Sequence, residues 1–327
     1  MKPVVWVTRK RGEKTVSYYD LHEYLIILRV VESISDEAGE VEFNLYNPSA
    51  KFADLFQKGD EIEVRLGYEG QNITKVGTYV VDDLIWSFPP DTLTVSGLVV
   101  DVVKQQVRTI KSRVWENATL AQIVQQIAAE ASLRAVTTGI EGIKFKHIEQ
   151  REMNDLNFLY NLASSYDCRM QIKGGYLYFE SRDQLAQRPA VATLTRDDER
   201  LSAYKFRWKA FATYKSAKIK YFDPEKKRYF ELEEVDPSTD SEQVLVLTQE
   251  VESIEQAQRI AKAQLRRHNR REITADFTLF GDTSFEAGMN IAIKGFHPLL
   301  DGVYTVTKVV HQVSRQGFIT SLGCERR

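Results

Sequence analysis

The segment that most constrains how this chain can fold occurs twice. Residues 56–68 read FQKGDEIEVRLGY, and residues 285–296 read FEAGMNIAIKGF. In both copies a glycine follows a phenylalanine by three residues, a strand of alternating apolar and polar residues comes next, and a glycine beside an aromatic residue ends the segment. Because alternation places one face of a strand on a core, the repeat predicts two related β units.

The similarity continues beyond the first strand of each copy. Residues 77–81 (GTYVV) correspond to residues 302–306 (GVYTV), and the later segment 93–98 (LTVSGL) corresponds to 318–323 (FITSLG). We therefore expect two related, tube-like β-barrels, so that a trimer would present six similar barrels in a ring. Short-strand patterns are weak signals when taken singly, and the alternative that any two β-meanders look alike stays open here.

Hydrophobic periodicity divides the chain into three parts. Alternating residues such as Val41, Phe43 and Leu45 predict short strands in the first third. Helical spacing appears near residue 110, and alternation returns from about residue 189. The predicted fold class is α+β and mainly β. The predicted domains are a first β-barrel, a small mixed α/β unit and a second β-barrel, at residues 1–108, 109–188 and 189–327.

The middle part is predicted to contain two helices and a hairpin. The first helix begins after Thr119, which has capping-box spacing to Gln122. A second helix is predicted over about Asp155 to Ser165. The paired glycines Gly174 and Gly175 then suit the positive φ angles of a tight hairpin turn.

A third helix, over about residues 253–268, is predicted as an insertion in the second barrel. Ser253 and Gln256 have capping-box spacing at its start. Four apolar residues share one helical face, which we expect to pack against the barrel: Ile254, Ala257, Ala261 and Leu265. The acidic, turn-rich segment before it, residues 233–243, predicts an exposed loop.

Charge and composition argue against several classes of protein. The chain has 44 basic and 46 acidic residues and a formal net charge of −2, whereas a general nucleic-acid binder is usually clearly basic. No apolar stretch has the length of a membrane-spanning helix, and no signal peptide is evident, so we expect synthesis and assembly in the cytoplasm. Cys168 and Cys324 lie far apart and are interpreted as buried or incidental thiols.

The motifs of common enzymes are absent from the sequence. There is no GxSxG, P-loop, GxGxxG or HExxH pattern. Carboxylates such as Glu149, Glu152 and Asp155 precede a helix, where capping and solvation are expected. The five histidines are scattered, and His297 is interpreted as a loop residue. We therefore predict no catalytic, cofactor-binding or metal-binding residue, no cofactor, and no enzyme activity.

The densest basic run is KAQLRRHNRR, residues 262–271. One interpretation is contact with DNA or with an acidic neighbouring subunit. The other is the solvated face and C-terminal end of a helix, where positive charge suits the helix dipole. We expect the run to face outward or meet another subunit, and not to line a channel, because phosphate binding depends on clustered lysine and arginine.

Several stretches, in this order, resemble the phage late control protein D family, the hub proteins of P2-like contractile tails. That family is related to the hub of T4-like baseplates and to the N-terminal part of type VI secretion spike proteins. The resemblance covers nearly the whole chain. The stretches that carry it are residues 118–133, 148–180, 194–198 (LTRDD), 251–267 and 295–322.

The resemblance implies a structural baseplate hub, a homotrimer between the six-fold tail tube and the three-fold membrane-piercing spike. The implied partners are the tail tube protein, the spike protein and other baseplate proteins, with DNA passing through the channel without specific binding and no stable membrane association. Because the chain ends at Arg327, after the second barrel, we expect the spike to be a separate protein. The expected location is a virion or tail-like particle. The alternative function is a cell-wall-binding or peptidoglycan-degrading tail component.

Overall fold

A computed structural model of the protein describes residues 2–18, 21–34, 39–52, 54–99, 105–209, 213–223, 227–249 and 251–327. The strands are β1 (Pro3–Arg11), β2 (Lys14–Tyr18), β3 (Leu25–Ser33), β4 (Glu40–Tyr46), β5 (Glu61–Tyr68), β6 (Thr74–Ser87), β7 (Thr92–Val99), β8 (Ile110–Thr119), β9 (Arg134–Thr138), β10 (Lys144–Asn154), β11 (Cys168–Lys173), β12 (Tyr176–Ser181), β13 (Ala192–Thr195), β14 (Leu201–Trp208), β15 (Ser216–Asp223), β16 (Arg228–Val235), β17 (Val244–Leu247), β18 (Ile273–Phe280), β19 (Asn290–Lys294), β20 (Gly302–Ser314) and β21 (Gly317–Arg326). The helices are α1 (Leu21–Tyr24), α2 (Gln105–Arg108), α3 (Leu120–Glu130), α4 (Asp155–Ser165), α5 (Arg182–Gln187) and α6 (Ile254–Asn269), with a short 3₁₀ turn at Pro48–Ala50.

The chain is mainly β, as predicted, and its two β units share one sheet of 13 strands. The strand order is β14-β18-β21-β20-β3-β4-β7-β6-β5-β1-β2, with β19 on β20 and β13 parallel to β19. Strand β3 joins the units because one of its edges pairs with β4 and the other with β20. The expectation of two separate barrels is corrected in this respect: among the described residues the strand pairs form an open sheet and close neither unit.

Each β unit keeps its own apolar core, built from the core-facing residues of its alternating strands. The first core includes Phe43, Phe56 and Ile62. The second includes Phe277, Phe285 and other residues of β18 to β21. Two residues of the second unit, Val313 and Phe318, lie in the first core. The junction of the units is therefore packed as well as hydrogen-bonded.

The local signals in the middle part are confirmed. Thr119 and Gln122 form the reciprocal capping box at the start of α3. Helix α4 begins at Asp155 and ends at Ser165, with Asn154 as its N-cap. The hairpin of β11 and β12 turns through Gly174 and Gly175, whose φ angles are +61° and +81°. These features depend on residues close in sequence, which is why the sequence predicts them.

Helix α6 packs differently from our expectation. Its buried residues Ala257, Ala261 and Leu265 belong to the core of the mixed α/β unit, where α6 contacts β15, β16 and α4. Ile254, which we expected on the same buried face, is exposed. Of the capping-box spacing only half is realised, because the Gln256 side chain accepts from the Glu252 N–H and not from its N-cap.

The predicted loop before α6 is partly a strand. Strand β16 extends to Val235, so the first residues of segment 233–243 pair with β15. The rest of the segment is turn and irregular backbone up to β17. Sheet β16-β15-β17 covers α6 on one side, and this explains why the helix leaves the second β unit.

Candidate assembly site

The two copies of the repeat adopt the same turn. Gly59 and Gly288 have φ angles of +88° and +95°. The Gly59 N–H donates to the Val81 carbonyl, and the Gly288 N–H donates to the carbonyl of Val306, each at 2.8 Å. Val81 and Val306 are the residues that the sequence alignment places at corresponding positions. The shared turn therefore confirms the alignment in this part of the repeat. The alignment of the later segment is wrong by two residues, because residues 93–98 lie opposite β6 as residues 320–325, and not 318–323, lie opposite β20.

The strands after the turn also share their register. Ile62 lies opposite Tyr79 between β5 and β6, and Ile291 lies opposite Tyr304 between β19 and β20. A register shift follows Val81 where β6 meets β7, and the same shift follows Val306 where β20 meets β21. A β-bulge at corresponding positions is a specific feature of a strand pair, so the two meanders are related beyond general similarity.

Valine at either glycine of the repeat should destabilise the protein. A β-branched residue is strained at positive φ, which costs about 1–3 kcal/mol. The shared turn by itself predicts comparable losses for Gly59→Val and Gly288→Val. The structure adds an asymmetry, because a Cβ at Gly288 would lie 2.8 Å from the Arg169 guanidinium, whereas nothing lies within 4 Å of one at Gly59. Urea unfolding should give the larger loss for Gly288→Val, and a neutral effect of either variant would contradict the shared turn.

Ion pairs tie the mixed α/β unit to both β units. On β11, Gln171 and Lys173 reach Glu32 of β3 at 2.9 and 3.0 Å. Lys173 also lies 3.2 Å from Glu286, which precedes β19. Burial opposes the charge of Lys173, but the two carboxylates outweigh it and raise its pKa. One lysine thus links all three parts of the chain.

A buried arginine continues this network. Arg169 lies 3.2 Å from Glu180, whose other oxygen accepts from Arg188 at 2.5 Å. Arg169 also donates to Gln171. Burial lowers the pKa of Arg169, and the nearby carboxylates oppose that shift. Sequence reasoning missed this network, although polar residues at every second position of a buried strand (Arg169, Gln171 and Lys173) were the available signal.

The basic run 262–271 is largely paired within the chain. Arg266 contacts Asp183, and Arg270 lies 2.5 Å from Asp167. Arg271 lies 3.6 Å from Glu325 of β21. The acidic neighbours are therefore residues of α5, of the turn before β11 and of the second β unit. Whether the run faces a channel in an assembly stays a prediction.

The carboxylates before α4 differ from our expectation of capping and solvation. Asp155 is buried and accepts from Lys111 and Arg113, each at 2.6 Å. Glu149 is a surface residue 2.8 Å from His147, and its hydrogen bond to this histidine contributes most to lowering its pKa. Asp155 is instead an internal ion-pair residue, because β8 places two cations beside the first turn of the helix.

The described histidines and cysteines form no cluster with one another. His297 is in the loop between β19 and β20, as predicted. His311 is buried on β20 with its Nδ1 3.0 Å from the Thr320 hydroxyl. Burial raises the pKa of the thiols of both Cys168 and Cys324. In the described part of the chain, no three potential ligands are grouped as a metal site would require.

The repeated β meanders and the charged links between them form a structural framework, and in the described part of the chain no cluster of catalytic or metal-binding groups accompanies it. The chain belongs to the phage tail baseplate hub (GPD) family, whose model matches residues 98–317. The resemblance read from the sequence is therefore confirmed. The protein is a baseplate hub of a phage virion or a tail-like particle.

Individual relatives agree with this family. A probable baseplate hub protein of Escherichia phage 186 is 23% identical, over 99% of this chain and 93% of the relative. The 43 kDa tail protein of prophage MuSo2 from Shewanella oneidensis has the same fold, with a TM-score of 0.75, 15% identity and 98% of each chain covered. An Escherichia coli type VI secretion system component matches with a TM-score of 0.59 and 13% identity, over 93% of this chain and 74% of that one.

Among the helices of the described residues, none is both long and apolar enough to cross a bilayer.

Proposed function

We propose that three copies of this hub form a ring between the six-fold tail tube and the three-fold spike. The observation that carries the proposal is the repeat, in which two β units per chain share turn, register and bulge. Three chains then present six similar units to the tube, while the ring as a whole keeps the three-fold symmetry that a trimeric spike needs.

In this proposal the two β units, at residues 1–108 and 189–327, form the tube-like part of each chain, and residues 109–188 form the domain between them. Three separate apolar cores support the division. The segment that contains β15 and α6 lies within residues 189–327 but packs in the core of the mixed α/β unit. The role of the central domain would be to hold the two β units at a fixed angle through Gln171 and Lys173, which bond to Glu32, and through the contact of Lys173 with Glu286.

The partners in the particle would be the tail tube protein, the spike protein and other baseplate proteins. DNA or another cargo would pass through the ring without specific binding. The protein would have no enzymatic activity, in keeping with structural relatives. The competing function, binding or cleavage of peptidoglycan, would need a wall-directed site that the contacts described above do not provide.

The trimer is tested directly with the purified full chain and its partners. We expect a trimer by light scattering, alone or with the spike protein, and a stable complex with the tail tube protein. A chain that stays monomeric in both conditions would contradict the proposal. An assay of peptidoglycan cleavage on the same sample separates the alternative, since a hub should release no soluble fragments.

DNA binding gives a second test. Because Arg266, Arg270 and Arg271 are already paired with acidic residues, the chain should bind duplex DNA more weakly than the roughly 10⁻⁴ to 10⁻⁶ M of ordinary nonspecific binders. Titration with labelled duplex at low and high salt measures this. As a control, Asp183→Asn should free Arg266 and strengthen binding. Tight, salt-sensitive binding by the unmodified chain would contradict a basic run that is neutralised by ion pairs within the chain.

A further inference from the structure

The seam between the two β units within one chain has a defined register. Residues 27–33 of β3 run antiparallel to residues 308–314 of β20, with Val30 opposite His311 and Leu28 opposite Val313. Strand β20 pairs with β21 along its other edge. The remaining edge of β20 is shared by two strands. Strand β19 pairs with residues 302–305 and β3 pairs with residues 308–314.

The counterparts of β20 and β3 in the repeat are β6 and β14, and each has a stretch of edge without a partner strand among the described residues. By the repeat, β20 corresponds to β6, whose pairing with β5 ends at Val80. Residues 83–87 of β6 therefore pair only with β7 among the described strands. Strand β14 ends the 13-stranded sheet and pairs only with β18 in the described chain. One chain thus carries both halves of a second seam, unpaired.

Strand β14 corresponds to β3 residue by residue. Leu28 lies opposite Phe43 of β4, and Tyr204 lies opposite Phe277 of β18. Phe43 pairs with Val95 and Phe277 pairs with Leu322. Val95 and Leu322 are equivalent because they lie opposite the corresponding residues Leu84 of β6 and Val309 of β20. Strands β3 and β14 also carry a register shift at corresponding positions, after Leu25 in β3 and after Leu201 in β14.

Side chains on β14 and at the end of β6 are exposed where their counterparts on β3 and β20 are buried. Leu28 faces its core and is 0% exposed, whereas its counterpart Tyr204 is 46% exposed. On β6 and just after it, Trp86 and Phe88 are 53% and 82% exposed, although their counterparts His311 and Val313 are buried. Exposed aromatic side chains on a free strand edge are a feature that soluble proteins normally cover.

We propose that β14 of one chain pairs antiparallel with residues 83–88 of a second copy, in the register of the β3–β20 seam. Transferring that register places Phe206 opposite Trp86, Tyr204 opposite Phe88 and Lys209 opposite Asp83. Cross-strand aromatic and opposite-charge pairs each favour pairing. The two edges are thus complementary in apolarity and charge.

This pairing joins two different surfaces, so it is a heterologous contact that forms rings when the rotation closes. It rests on the trimer of the proposed function and specifies how that trimer closes. Three inter-chain β14–β6 seams would alternate with three intra-chain β3–β20 seams. The six β units would then form one continuous sheet around the channel.

A disulfide across the proposed seam tests the register. Ser87 and Lys205 are exposed and fall opposite each other, as Gln312 and Arg29 do within the chain. The double variant Ser87→Cys/Lys205→Cys should form covalent trimers on oxidation of the purified full chain, read on a non-reducing gel. The native thiols Cys168 and Cys324 are buried and should not interfere.

The matched control is Ser87→Cys/Arg207→Cys, which shifts one thiol by two residues on the same face. Directly opposite Cβ atoms lie about 4.5–5.5 Å apart, within a small adjustment of the roughly 3.5–4.5 Å that a disulfide needs. Diagonal positions lie at about 7–8 Å, which a small adjustment does not bridge. The control should therefore form several-fold less cross-linked product. Mixing the single variants Ser87→Cys and Lys205→Cys should give only the mixed dimer.

The possible outcomes separate this inference from the proposed function. A trimer by light scattering that cross-links no better than the control would overturn the β14–β6 seam and leave the hub trimer standing. Cross-linking of Ser87→Cys chains to one another would also overturn it, because that requires a symmetric contact. A chain that stays monomeric at all concentrations and with its spike, without cross-links, would contradict both.

Discussion

A fall in pH from about 7 to 4 should cost the folded protein about 3 kcal/mol of stability through His311 alone. Burial lowers the pKa of His311 from 6.5 to about 4. The unfolded chain takes up a proton on this imidazole near pH 6.5, and the folded chain only near pH 4. The unfolded state therefore binds more protons between these values, so stability present above pH 6.5 is lost as the pH falls.

The charged groups near His311 largely oppose each other. Asp282 raises its pKa and Lys173 lowers it, and burial is the larger cause. The ring lies on β20 opposite Val30 of β3, so protonation would act where the two β units join. This position makes His311 a sensitive reporter of the seam within the chain.

The control for this prediction is His311→Gln, which keeps a hydrogen-bonding group beside Thr320 and removes the titration. Urea unfolding of both proteins at a series of pH values gives the two stability profiles. Carboxylates such as Asp60, whose pKa is lowered despite burial because it bonds to Arg11, affect both profiles equally. Identical slopes between pH 6.5 and 4 would show that His311 is protonated without cost.

Sequence predicted those parts of the fold that depend on neighbouring residues. The capping box at Thr119, the glycine hairpin after β11 and the shared turn at Gly59 and Gly288 are all confirmed. Each is set by the backbone preferences of a few adjacent residues. The alignment of the two copies held at the turn and the bulge because both are local, and it failed by two residues in β7 and β21, the strands after the bulge.

The parts of the fold that the sequence did not predict are contacts between segments that lie far apart in the chain. The apolar face of α6 indicates burial, but it does not distinguish the second β unit from the central core where it packs. The β3–β20 seam joins strands almost 300 residues apart in sequence, and alternation alone cannot choose the partner of an edge. The links of Lys173 to Glu32 and Glu286 are likewise contacts between distant segments.

Replacing Asp155 by alanine should lower the free energy of unfolding by about 3–5 kcal/mol, since it removes one partner of a buried ion pair. Its side chain is 1% exposed and accepts from Lys111, Arg113 and the Gln150 amide. Lys111 and Arg113 would keep Glu130 as a partner, which places the loss near 3 kcal/mol. Urea unfolding monitored by circular dichroism measures the change.

Glu149→Ala is the matched control, since it removes a carboxylate of the same segment at the surface. Its partners His147 and Arg151 are solvent-exposed, and exposed ion pairs add little to stability. Asp155→Asn should fall between the two, because the amide oxygen still accepts a hydrogen bond but carries no charge. If Asp155→Ala were no worse than Glu149→Ala, the cations on β8 would be held by Glu130 and water alone, and α4 would rest on β8 and β10 through apolar packing only.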